Sequence, residues 1–320
     1  MKQEYNISDF SVVYISYDEP NCEKHWADLL EKNPAAKRVH HVKGFDAAHR
    51  AAGEAGTTDR IITVDADNII HPEFMLQKVM IDDELHHDYV YSWKGLNMVN
   101  GLSYGNGGLK LWPRDELLNM ASHELAEDGN GVDFCWMPTY VQMASIWSDV
   151  YVNGSPFQAF RAGYREGVKM SLHNGDKVDK WKFYEKNARA NLERLSIWCS
   201  VGRDILHGNY AMIGARMGAV KAFDPEFEPS SVAEFDYFDT VWDQHRAIFN
   251  DPHTLKRFML RLNEEINDLM QLRVAELDEQ QSAWFKSVHF DNKAKYSIMV
   301  TEQEAAGLEL KRMFEDSTVI

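Results

Sequence analysis

Arg60-Ile61-Ile62-Thr63-Val64-Asp65-Ala66-Asp67-Asn68 decides how this chain is read. Ile61 to Val64 form a short β-branched run, the pattern of a strand buried on both faces, and it ends in two carboxylates separated by one small residue. Strands of that kind belong to sheets covered by helices. Upstream, Phe10 to Ser16 (FSVVYIS) is a second β-rich run, closed by the turn-prone Tyr17-Asp18-Glu19-Pro20-Asn21. Between the two runs the pattern predicts a helix near Glu23 to Glu31, a brief strand at Arg38 to Lys43 and an alanine-rich helix from Phe45 to about Ala55. Alternation of this kind specifies an α/β fold with a mostly parallel sheet and flanking helices. Ligands of such sheets bind at the carboxyl ends of the strands, where residues 16 to 19 and 65 to 68 both fall.

Further along, a strand is expected near Tyr89 to Trp93, followed by the glycine-rich Gly101 to Lys110 (GLSYGNGGLK). Its spacing fits neither a phosphate-binding P-loop nor a dinucleotide fingerprint. Gly105-Asn106-Gly107-Gly108 reads either as a loop laid over a ligand or as an ordinary hairpin built on Asn106-Gly107. Ser155-Pro156-Phe157-Gln158 is a helix start with proline at the first helical position, so a helix should run to about Leu172. On it Arg161, Arg165 and Lys169 recur every four residues beside an apolar stripe of Phe157, Phe160, Tyr164 and Val168. The basic stripe could meet phosphate or could be a solvated face. From about Phe223 the chain turns acidic and helical, with Leu255, Phe258, Met259, Leu262, Ile266, Leu269, Met270, Val274 and Leu277 at helical spacing, a stripe that reads as core packing. Thr301-Glu302-Gln303-Glu304 opens a last helix. The expected division is a catalytic domain over 1–222 and an acidic helical extension over 223–320 packed on it.

The net charge of −16 speaks against a protein that coats nucleic acid by charge alone. The charge is uneven, however: Lys221 to Ile320 carry 20 acidic against 11 basic residues, while Arg161 to Arg194 carry nine basic against five acidic. The second segment, with Lys180, Lys182 and Lys186, is the candidate for touching phosphate. No apolar run approaches the length of a membrane span, and the N-terminus does not read as a signal peptide, so a soluble, cytoplasmic protein without a membrane partner is expected. Cys22, Cys135 and Cys199 are odd in number and far apart, which fits free thiols.

The chemistry begins at Asp65 and Asp67. Two carboxylates at the end of a strand are hard oxygen donors suited to Mg²⁺ or Mn²⁺, and a cation held there could bridge to a diphosphate. The alternative is a solvated turn that happens to carry two acids; the buried strand just before it favours the metal reading.

With these residues in view, the chain resembles the GT-A glycosyltransferases. Ser11 to Glu19 is similar to the opening strand of that fold, and Ala48-His49-Arg50 to Asp67 is similar to its second helix and Asp-x-Asp strand. Tyr17-Asp18-Glu19-Pro20-Asn21, Tyr104 to Lys110, Phe160-Arg161-Ala162-Gly163-Tyr164-Arg165-Glu166-Gly167 and His207 to Arg216 together resemble the phage TET/JBP-associated glycosyltransferases, over about residues 8 to 220. The resemblance implies transfer of a sugar from a UDP-sugar to the hydroxymethyl group of a modified pyrimidine in DNA. It implies that Ser16, Tyr17, Asp18 and Glu19 hold the uridine. His49, Asp65, Gly105 to Gly108, Lys110 and Arg165 would line the rest of the nucleotide-sugar site, and Asp65, Asp67 and His207 would ligate the metal. Arg161, Lys169, Lys180, Lys182 and Lys186 would face DNA. For His49 an exposed helix surface is the alternative, and for His207 a structural or solvent-exposed role.

One departure concerns the base. Inverting members of the fold often carry a carboxylate six or so residues before an arginine of the acceptor helix, and counting back from Arg161 reaches Ser155-Pro156. Either Glu166 or Asp133 removes the acceptor proton, each with a salt bridge or cap as its alternative role, or the reaction retains configuration. A glycan, lipid or protein acceptor, and a binding module without catalysis, are the competing functions.

Overall fold

The computed structural model describes residues 2–104, 108–122, 139–173, 175–187 and 189–300. Asp133, Cys135, Gly105 to Gly107 and the helix expected at Thr301 lie outside them. The chain divides into two compact units, one built on residues 2–121 and 139–151, the other on 152–287.

The first unit opens with β1 (Lys2–Asn6), β2 (Ser11–Ser16), α1 (Cys22–Lys32), β3 (Lys37–His40), α2 (Phe45–Ala55) and β4 (Arg60–Asp65). Apart from β1, which the sequence reading did not anticipate, these follow the sequence pattern within a residue or two, except that β3 ends three residues early. There follow β5 (Asn68–Ile70), β6 (Lys78–Asp82), β7 (Val90–Asn97), β8 (Ser103–Tyr104), β9 (Leu109–Pro113), α3 (Arg114–Leu118) and β10 (Tyr140–Val150). β1 pairs with β6 in a small antiparallel sheet, and the main sheet runs β3-β2-β4-β9-β7-β10-β5 with β8 beside β7.

The main sheet is mixed, where a mostly parallel one was expected. β2 is parallel to β3 and β4, and β10 to β7, but β9 runs antiparallel to both β4 and β7, and β5 antiparallel to β10. Connection length explains this. A parallel return needs a crossover of a dozen or more residues. Among its described residues the 98–108 link between β7 and β9 holds no helix, and at this length β9 comes back antiparallel.

The same arithmetic forces the sheet to curl. β5 starts two residues after β4 ends, yet β9, β7 and β10 stand between them in the strand order. Four strand spacings across a flat sheet would be about 19 Å, whereas two linking residues reach roughly 10 Å. Ala66 and Asp67 therefore lie where the sheet folds round on itself. Tyr14, Ile62, Val64, Phe74, Tyr91, Trp93, Leu109 and Leu111 pack the core beneath.

The second unit is helical: α4 (Pro156–Ser171), α5 (Phe183–Lys186), α6 (Arg189–Ser200), α7 (Gly208–Lys221), α8 (Phe235–Phe249), α9 (Pro252–Met270) and the first turns of α10 (Glu279–Val300). Ser155 caps α4 by accepting from the Gln158 amide at 3.1 Å, as its sequence predicts. The apolar stripe of α9 (Leu255, Phe258, Met259, Leu262) shares one core with Phe160, Tyr164 and Val168 of α4 and Met212 and Ile213 of α7. The helix stops at Met270, where Gln271 turns left-handed (φ 54°), so Val274 and Leu277 do not continue the stripe as expected. α4 and α7 meet backbone to backbone. A Cβ on Gly163 or Gly167 would sit 1.9 or 2.1 Å from the Ala211 or Ala215 carbonyl oxygen, and one on Gly214 or Gly218 would sit 2.1 or 2.2 Å from that of Phe160 or Tyr164. Gly163, Gly167 and Gly214 of the quoted sequence motifs are thus accounted for by helix packing, while Gly208 lies against the Gly202 carbonyl instead. Among the described residues, no helix is long and apolar enough to cross a membrane.

Candidate active site

The Asp65-Ala66-Asp67 turn is pinned through its backbone. The Asp65 amide donates to the Gly108 carbonyl at 2.8 Å, the Ala66 carbonyl accepts from the Tyr14 hydroxyl at 3.2 Å and from His25 Nδ1 at 2.7 Å, and the Asp67 carbonyl accepts from the Tyr151 amide at 2.7 Å. Burial of these backbone groups is therefore compensated, and the two side chains have little freedom to move with the turn. Gly108 is required by contact: a Cβ there would stand 2.3 Å from the Asp65 Cβ and 2.5 Å from Asn68 Nδ2. Asn68, which is buried, donates to Asp67 Oδ1 at 2.6 Å and accepts from Ser148 Oγ at 2.8 Å. The Asp65 carboxylate has Lys110 Nζ 4.0 Å away.

This cluster holds more negative charge than it neutralises. Asp67 keeps part of its surface open but is densely surrounded, and that desolvation, with the charges of Asp65 and Glu19, pushes its pKa up to about 7. Carboxylates repelling one another at one edge are the electrostatic signature of a place that a cation would relieve. Among the described residues, no third His, Cys, Asp or Glu joins as a ligand at metal-binding distance. A divalent ion here would rest on Asp65 and Asp67 and take its remaining oxygens from substrate and water, the usual arrangement for Mg²⁺.

His49 lies beside the cluster, buried rather than on an exposed helix face. Its Nδ1 donates to the Phe45 carbonyl at 2.9 Å, so the lone pair of the neutral ring is at Nε2, and that buried atom has no hydrogen-bond partner among the described residues. Burial holds the His49 pKa down and the charge of Asp65 opposes it. Phe45 stacks on the ring at 4.0 Å and Trp112 meets it edge-on at 5.4 Å. A buried acceptor without a donor is costly unless a ligand supplies one.

At the ends of β2 and β3 the structure gathers residues that the sequence reading named and others that it did not. Ser16 Oγ accepts from Arg38 Nε at 2.9 Å and lies 2.9 Å from His40 Nδ1. Glu19 accepts from the Tyr17 amide at 2.8 Å, and Asp18 is exposed. His41 adopts a left-handed backbone (φ 59°), with its ring 3.7 Å from that of His40 and 5.8 Å from Tyr17. Arg38 is held by a two-point ion pair to Glu23 (3.0 and 2.6 Å) and lies over the Tyr14 and Trp26 rings. Arg38, His40, His41 and Ser148 carried no sequence signal as site residues, and Asn68 was read only as part of the polar strand end, without the role its bond to Ser148 gives it.

The remaining named residues belong to the second unit. Glu166 accepts from Lys169 Nζ at 3.2 Å, and both side chains are mostly buried. The Arg161 guanidinium sits 4.5 Å from the Phe235 ring centre, and Arg165 is half-buried. His207 precedes α7 in a left-handed conformation (φ 62°) with its carbonyl accepting from the Tyr210 amide at 3.0 Å. Lys180, Lys182 and Lys186 are exposed. Cys22 and Cys199 are buried free thiols. No known family model matches this chain, and no curated protein sequence matches it.

Proposed function

We propose that the chain is a GT-A glycosyltransferase that moves a sugar from a UDP-sugar to the hydroxymethyl group of a modified pyrimidine, 5-hydroxymethylcytosine or 5-hydroxymethyluracil, in DNA. The observation that carries the reading is the Asp65-Ala66-Asp67 turn: its backbone is tied at three points, its carboxylates crowd one another at the carboxyl end of β4, and Lys110 and the orphan His49 nitrogen stand beside it.

Bound Mn²⁺ or Mg²⁺ would neutralise the diphosphate charge that builds up as the sugar bond breaks. Asp65 and Asp67 would hold it, and Asn68 would keep Asp67 turned for the purpose. Lys110 adds a fixed positive charge for a phosphate oxygen. His49 Nε2 is an acceptor that lacks a donor, and a hydroxyl of the sugar or ribose would supply one. Tyr17, His40 and His41 offer ring surface at the ends of β2 and β3, where a pyrimidine ring would lie.

The test is to incubate hydroxymethylated and unmodified DNA with a panel of UDP-sugars and Mn²⁺ and to analyse the nucleosides by mass spectrometry. A sugar mass on hydroxymethylpyrimidine alone supports the reading. Metal-dependent UDP-sugar hydrolysis with no DNA product would shift the acceptor to a glycan, lipid or protein, which the net charge of −16 favours. With no hydrolysis either, the enzyme reading fails.

A further inference from the structure

We infer that the turn carrying Trp181 is a surface on which an unpaired DNA base stacks while neighbouring lysines take its phosphates. This rests on the DNA-acceptor reading and goes beyond it. Trp181 leaves 77% of its surface exposed, and Tyr184 leaves 49%. A tryptophan could have contributed some 200 Å² to a core, and here the chain does the opposite and holds it out.

The holding is rigid. Asp179 caps the turn, its carboxylate accepting from the Trp181 amide at 2.8 Å and its carbonyl from that of Lys182 at 2.8 Å. Immediately after it Phe183 is fully buried against Phe223, the Tyr184 hydroxyl donates to the Gln271 carbonyl at 3.0 Å, and buried Asn187 donates to the Met170 carbonyl at 2.8 Å. On the other side Lys177 Nζ donates to the carbonyls of Asp224 and Pro225, both at 3.0 Å. The indole is therefore presented on a tethered turn.

The charge around it has the sign that nucleic acid needs. Lys177, Lys180, Lys182, Lys186 and Arg189 are all exposed, against Asp176, Asp179 and Glu185, in a chain that is acidic as a whole. Lys180 Nζ lies 4.6 Å from the Trp181 ring centre, and neither Lys182 nor Lys186 pairs with a carboxylate among the described residues. An aromatic face set among cations matches a ligand in which π-faces alternate with phosphates. A closed duplex offers only its phosphates, so the occupant must present a free base, either in a single strand or extruded from a helix.

The test measures binding of the full chain to a fluorescent single-stranded DNA oligonucleotide and to one of equal length made of abasic sites. Trp181→Ala should weaken binding to the base-bearing strand by roughly five- to a hundredfold and leave abasic binding unchanged, with Trp181→Phe restoring most of the loss. Lys182→Glu with Lys186→Glu should weaken both ligands and flatten the salt dependence. Equal binding of both oligonucleotides by wild type, or no effect of Trp181→Ala, overturns the inference. The two readings separate cleanly: sugar transfer to DNA that ignores Trp181 sinks this surface and spares the function, whereas Trp181-dependent strand binding without any transfer does the reverse.

Discussion

Asn68 donates its side-chain amide to Oδ1 of Asp67 at 2.6 Å while Ser148 Oγ holds the Asn68 oxygen at 2.8 Å. One carboxylate oxygen is thereby fixed by a buried chain of hydrogen bonds that starts on β10. Partners of this kind orient a ligand and typically matter by about 10–100-fold in metal affinity. Asn68→Ala is expected to weaken Mn²⁺ binding in the presence of UDP by about that factor, read by calorimetry. Wild-type affinity would mean that Asp67 is oriented without Asn68.

Gly108→Ala should damage the same site from the other side. Its new Cβ would stand 2.3 Å from the Asp65 Cβ, and the overlap can be relieved only by moving β9 or the turn. A loss of about 1–3 kcal/mol is expected in urea unfolding, together with weaker metal binding. An unchanged midpoint would show that the turn gives way freely.

Asp67 should make the metal-free protein less stable as pH rises. Its folded pKa of about 7 lies above the ordinary carboxylate value, so the folded state keeps a proton that the unfolded state gives up. The stability this adds is present in full below about pH 4 and is gone once the pH has passed 7. Asp67→Asn, which cannot ionise, should therefore be more stable than wild type at pH 8 in EDTA, by up to about 4 kcal/mol, and close to wild type at pH 4. The same offset at both pH values would contradict the origin given for the shift.

Helix packing in the second unit makes a separate prediction. Gly167→Val places carbon against the Ala215 carbonyl, where even a Cβ would be 2.1 Å from the oxygen. α4 and α7 would have to separate, at about 3 kcal/mol or more, so the variant should lose cooperative melting or aggregate on expression. Wild-type melting would place the helix contact elsewhere.

What could be read from the sequence was local. β2, β4, α1, α2 and α4 announce themselves by period, β-branching and caps within a dozen residues, and Asp65 and Asp67 stand at the end of a legible strand. β9 and β10 did not, because β9 (LKLWP) is short and follows a glycine loop, and β10 (YVQMASIWSDV) mixes polar and apolar residues along its length. Without them the antiparallel turn-back and the curl were invisible. The same holds inside the site: Asn68 and Ser148 are 80 residues apart, and so are two halves of one hydrogen bond that no spacing rule connects. His49 was legible as a residue near the strand, but its orphan nitrogen was not. Conversely, Gly163, Gly167 and Gly214 read as parts of motifs and, with Gly218, serve to let two helices touch.

The central claim is that the Asp65-Ala66-Asp67 turn holds a divalent cation against a nucleoside diphosphate. Titrating UDP into the protein by calorimetry, with Mn²⁺ and again in EDTA, tests it on wild type and on Asp67→Ala. The account predicts metal-dependent binding by wild type and little or none in EDTA or by the variant, with circular dichroism showing both proteins folded. UDP binding of equal strength in all arms, or by the variant alone with Mn²⁺, would contradict it.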